Sequence, residues 1–193
     1  MPLQFDSSSV VVRGKFNPYI FSPEWLSEQK IWKHKQVQLA LGVVGDGVNF
    51  RSADGEVSWR VDPFGLTVEA IEADELVLRV LERLPHTPVS AVGFNFVFSQ
   101  EKWEGVVPKL GGLALDDLPA KFNPELSIWT GVFHVESTRI QMAIATGEEG
   151  ITVNFNFHEH TPSTSQAKAA VKRFGENRIQ CTMMIHEILQ ETA

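Results

Sequence analysis

Between residues 128 and 158, apolar and polar side chains alternate through three consecutive runs: Ile128–Val135, Arg139–Thr146 and Ile151–His158. Strict alternation sends successive side chains to opposite faces of a pleated strand, so these runs predict a half-buried antiparallel sheet. Turns at Glu136–Arg139 and Thr146–Gly150 (T-G-E-E-G) close the two hairpins. Laid side by side, one face collects Phe133, Met142 and Phe155, then Val135, Ile140 and Phe157, with Ile144 beside Val153. The other collects His134, Gln141 and Asn156, then Glu136, Arg139 and His158, with Thr130, Thr152 and Asn154 further along. A one-residue slip would exchange the faces, which makes the assignment of each side chain a strong expectation.

A helix from about Ser165 to about Gln190 follows. Ala167, Ala170, Val171, Phe174, Cys181, Ile185, Ile188 and Leu189 form a stripe at helical spacing. Pro162, Ser163, Thr164 and Ser165 supply its start, and Gly175 is a point of bending or breakage. The stripe is expected to cover the apolar sheet face and to leave the polar one open.

The earlier part of the chain repeats this pattern. Strands are expected at Ser9–Phe16, Gln36–Val44, Val48–Arg51, Val57–Val61, Leu66–Ile71 and Ala91–Phe98, the last being the most apolar and therefore central. Ser22-Pro23-Glu24 opens a short helix, with Ser as cap and Pro at the first helical position. Asp74–Leu84 makes a longer helix, stopped by Pro85 and Pro88. Ser52–Gly55 and Asp62–Gly65 are turns. Residues 100–123 read only as a mixed connector, and Trp25, Trp32, Trp59, Trp103 and Trp129 read as core anchors.

The expected fold is therefore α+β: an antiparallel sheet, or two abutting ones, with helices packed on one face, in a single domain over residues 1–193. Three short matches suggest an internal duplication into two related βββα halves, approximately 1–88 and 89–193. Gly65–Val68 matches Gly150–Val153 at an offset of 85, Gly47-Val48 matches Gly131-Val132, and Phe16-Asn17-Pro18 matches Phe122-Asn123-Pro124.

Composition narrows the function. The net charge of −7 argues against bulk attraction to nucleic acid or to an anionic membrane. No apolar run reaches the roughly 18 residues that suggest a membrane span, and the N-terminus lacks the pattern of a signal peptide. A lone cysteine, Cys181, excludes a disulfide framework. A cytoplasmic protein without a bound cofactor is expected.

The candidate site is the polar face: His134, Glu136, Arg139, Gln141, Asn156 and His158. The plain reading is a solvated face with cross-strand pairs. The functional reading is a recognition surface for a protein partner or a second copy, because Asn, Gln, Arg and His discriminate polar groups, whereas a solvent face favours Lys and Glu. The alternative is a small hydrolase that uses His158, Glu136 and His160 as acid–base or metal groups. His158 and His160 point the same way on a strand, but no H-E-x-x-H pattern supports that chemistry. Lys168, Lys172, Arg173 and Arg178 suggest an anion site near Thr164 and Ser165, weighed against a solvated helix face.

Overall fold

The computed structural model describes residues 3–33, 37–38, 47–101, 126–147 and 150–190. Its strands are β1 (Gln4–Gly14), β2 (Val37–Gln38), β3 (Val48–Ser52), β4 (Ser58–Asp62), β5 (Gly65–Glu69), β6 (Val89–Glu101), β7 (Leu126–Val135), β8 (Thr138–Gly147) and β9 (Gly150–His160). Its helices are α1 (Pro23–Glu28), α2 (Ala73–Arg83), α3 (Thr164–Val171) and α4 (Phe174–Gln190). All described strands join one antiparallel sheet in the order β2-β3-β4-β5-β1-β6-β9-β8-β7. The fold is α+β.

The halves meet along the β1–β6 seam, where Val10 pairs with Phe94 and Val12 with Val92. On one side of this seam the order is β2-β3-β4-β5-β1, and on the other it is β6-β9-β8-β7. The four strands on the second side repeat the order of the four nearest the seam on the first, reversed about the seam. Gly65 and Gly150 open the equivalent strands β5 and β9, and both hairpins carry the same register, Ser58 with Glu69 and Ala143 with Asn154. The Gly47-Val48 match does not fall on equivalent places: Gly47 stands just before β3, whereas Gly131 is mid-strand in β7. Phe122-Asn123-Pro124 lies outside the described residues.

Helices α2, α3 and α4 cover the same sheet face. Val77, Val80 and Leu81 of α2, Ala167, Ala170 and Val171 of α3, and Phe174, Cys181 and Ile185 of α4 join one buried cluster with Val10, Val12, Phe94, Phe96, Phe155 and Phe157. The expected apolar row is buried in β8 and β9, at Ile140, Met142, Ile144, Ile151 and Val153, whereas its β7 members Phe133 and Val135 are exposed. In the N-terminal half, Trp32, Phe50 and Trp59 form an aromatic cluster with centroids 6.0–6.1 Å apart. Burial also pushes the Cys181 thiol far above its ordinary pKa, because the thiolate has no water to solvate it.

Several boundaries differ from expectation. The single long helix is two helices, broken at Lys172 and Arg173 rather than at Gly175. The break places Arg173 against Glu159 of β9, its guanidinium 2.5–2.6 Å from both carboxylate oxygens. The cap is Ser163, whose hydroxyl accepts from the Gln166 amide. Strand β1 begins at Gln4, and β6 runs from Val89 to Glu101. Of the strand expected over 36–44, Val37–Gln38 is described. The remainder, together with Trp103, the connector beyond residue 101 and the side chains of Ile188 and Leu189, lies outside the described residues.

Candidate functional site

The site is built by strand pairing. One row of residues crosses the open face from Arg51 through Ser58, Glu69, Ser9, Asn95, Asn156 and Gln141 to Val132. The next runs from Asn49 through Arg60, Thr67, Val11, Gly93, His158 and Arg139 to His134. Neighbouring strands lie about 4.8 Å apart, so adjacent side chains in a row are in reach of each other.

At the centre of the first row the amides are tied together. Asn156 donates to Asn95 Oδ1 at 2.6 Å, and Asn95 donates to the Ser9 hydroxyl at 2.8 Å. Three strands are stitched by this chain of hydrogen bonds, which fixes the side chains before any partner arrives. Arg139 is half-buried in the second row and donates to Gln141 Oε1 at 3.4 Å, a long bond that leaves most of its guanidinium uncommitted.

The expected site residues are only partly brought together. The β8–β9 register is as read from the alternation, so Arg139 stands opposite His158 and Gln141 opposite Asn156. The β7–β8 register differs by two residues. Val135 pairs with Thr138 across a two-residue turn, Glu136-Ser137, so His134 lies beside Arg139 rather than Gln141. Glu136 is the correction: it occupies the turn in a left-handed conformation with φ 52°, outside the row of Arg139 and His158. Among the described residues no ion pair joins it to Arg139. The two-residue slip keeps the faces, and Ile128 and Val132, both exposed, share the open side with Thr130 and His134.

Sequence reasoning missed the breadth of the surface. Asn49, Arg51, Ser58, Arg60, Thr67 and Glu69 line a shallow concavity of about 300 Å³ on the same face of the N-terminal half. Within it Arg51 donates to the Gly55 carbonyl at 3.2–3.3 Å, and Arg60 approaches Asp62 at 3.9 Å. The buried Asn49 Oδ1 accepts no hydrogen bond from the described residues. The period-2 polar rows announced these residues. What joins them to the C-terminal rows is the β1–β6 pairing, between residues about ninety apart, which no local pattern reveals.

Charge is distributed unevenly. Among the described residues, Arg13, Arg51, Arg60 and Arg139 stand in the paired rows of the open face, with Asp62, Glu69 and Glu101 as the carboxylates and no lysine. Helix α2 and its cap carry Glu72, Asp74, Glu75 and Glu82 on the other side. Among the described residues, the acidity of the chain is therefore not the character of the open face. Three of the groups considered for an anion site at the start of α3 are engaged elsewhere: Thr164 is buried and donates to the Thr87 carbonyl at 2.7 Å, Arg173 holds Glu159, and Arg178 lies over the Phe5 ring. Among the described residues, no three His, Cys, Asp or Glu side chains gather closely enough to hold a metal ion. No described helix is long and apolar enough to cross a membrane.

No protein-family model matches the chain, and no curated protein is detectably similar to it.

Proposed function

We propose that this chain is a non-enzymatic, cytoplasmic binding protein that recognises a protein partner or a polar ligand through the open face of its sheet, as a homodimer or as one subunit of a complex. One observation supports this above the others. Helices close one face of the sheet, while among the described residues the other carries amides, hydroxyls, imidazoles, arginines and a few carboxylates but no lysine, partly fixed by the Ser9–Asn95–Asn156 hydrogen bonds. A solvated surface is ordinarily dominated by flexible charges of both signs. Fixed amides lose little further freedom on binding, which favours recognition.

Arg139 would anchor a carboxylate or phosphate, since a guanidinium binds such groups through paired, charge-assisted hydrogen bonds. Gln141, Asn156, His134 and His158 would read donors and acceptors beside it. Nucleic acid is the less suitable partner because the chain carries a net charge of −7.

Photo-crosslinking in the protein's own cell tests this surface. A photoreactive side chain at position 141 or 156 is expected to give discrete covalent adducts. The same group at the exposed Glu82 on the helix side is expected to give none. Adducts from position 82 alone, or from no position, would overturn the assignment of the face.

A further inference from the structure

Strand β7, Leu126–Val135, is the last strand of the sheet among the described residues. Its sequence, L-S-I-W-T-G-V-F-H-V, contains no Asp, Glu, Lys, Arg or Pro. Four of its apolar side chains stand exposed: Ile128 (67%) and Val132 (49%) on the open face, Phe133 (37%) and Val135 (45%) on the helix face. An edge strand presents a row of unpaired backbone amides and carbonyls, and proteins ordinarily blunt such edges with charge, proline, a bulge or shortness. Strand β7 is long and regularly paired with β8 along its whole length, and it carries none of these protections.

We infer that β7 pairs antiparallel with β7 of a second copy, joining two sheets into one. Charge points to a second copy as the occupant. A chain of net charge −7 repels itself over most contacts it could make, but β7 brings no carboxylate to its own edge. The strand is also self-complementary. With a two-fold axis perpendicular to the sheet through Thr130, Ile128 of each copy meets the partner's Val132 on the open face. On the helix face Trp129 falls opposite the partner's Gly131. Cross-strand pairs of this kind are the stabilising unit of a sheet.

The axis has a functional consequence. Because it stands perpendicular to the sheet, both open faces lie on the same side, and the dimer offers two identical recognition surfaces to one partner. Such bivalent presentation raises overall affinity without new contacts. The pairing itself does not rest on the open face having a ligand.

Sedimentation velocity of the full chain tests the pairing. Wild type is expected at twice the 21.6 kDa chain mass. The double variant Ile128→Lys/Val132→Lys is expected to sediment as a folded monomer with an unchanged far-UV circular dichroism spectrum, since both side chains are exposed within one copy. Arg139→Ala is expected to stay dimeric, so a lost ligand and a lost dimer are told apart. Hydrogen exchange on wild type gives an independent reading should the lysine variant unfold: protection of residues 126–135 is expected to fall on dilution. A monomeric wild type, a dimer unaffected by the two lysines, or protection insensitive to dilution would each overturn the inference.

Discussion

Replacing Phe96 with alanine is expected to lower the free energy of unfolding by about 3–5 kcal/mol, the range for emptying a well-packed aromatic site. Phe96 is fully buried beneath the helix layer. Its ring centroid lies 5.7 Å from that of Phe157 and 4.9 Å from that of Phe174. It belongs to β6, between Ser8 of β1 and Phe155 of β9, so it touches the seam of the halves and the first turn of α4 together. No neighbour collapses easily into its space, since the sheet backbone is fixed by ladders on both sides. Against a total stability of roughly 5–15 kcal/mol, the loss is large. Urea unfolding measures it as a lower midpoint with an unchanged slope. A loss below about 1 kcal/mol would mean that the helices do not seat on this part of the sheet.

The second large effect is expected at Gly150. Its φ of 135° lies where only glycine is unstrained, and a Cβ built there would strike the Gln100 carbonyl on β6. Alanine should therefore cost roughly 2–4 kcal/mol, combining backbone strain with steric overpacking. Gly65 holds the equivalent place at the start of β5, and its added Cβ would stand 2.9 Å from the Val12 carbonyl. Gly65 does not have the positive φ, so Gly65→Ala is expected to cost distinctly less. Thermal melts of both variants decide the order, and equal losses would show that crowding, not conformation, reserves these positions for glycine.

The α+β class and the face of nearly every described strand residue were legible because burial follows the period-2 pattern directly. Ile140, Met142, Phe155 and Phe157 turned inward as their alternation required. Register was legible only where turn length was. The β8–β9 pairing followed from its apolar rows, but the β7–β8 turn depended on Glu136 entering a left-handed conformation, which non-glycine residues seldom adopt. That choice moved His134 next to Arg139 and removed Glu136 from the candidate site.

The remainder was set by long-range contacts. The helix break at Lys172 and Arg173 accompanies an ion pair to Glu159 on a different element, whereas the local signal pointed to Gly175. The union of both polar fields on one face required β1 to pair with β6. Ile128 and Val132 were legible as apolar, but what they mean at an edge depends on strand order, which the pattern of one strand does not contain.

The open face as a recognition surface is tested most directly by native mass spectrometry of the protein isolated gently from its own cell, beside its Arg139→Ala variant. The account predicts that wild type retains a partner subunit or a small ligand beyond the mass of its own chains. It also predicts that Arg139→Ala loses that mass while melting at the same temperature. The same adduct on both proteins, or chains that carry nothing at all, would contradict a recognition surface centred on Arg139.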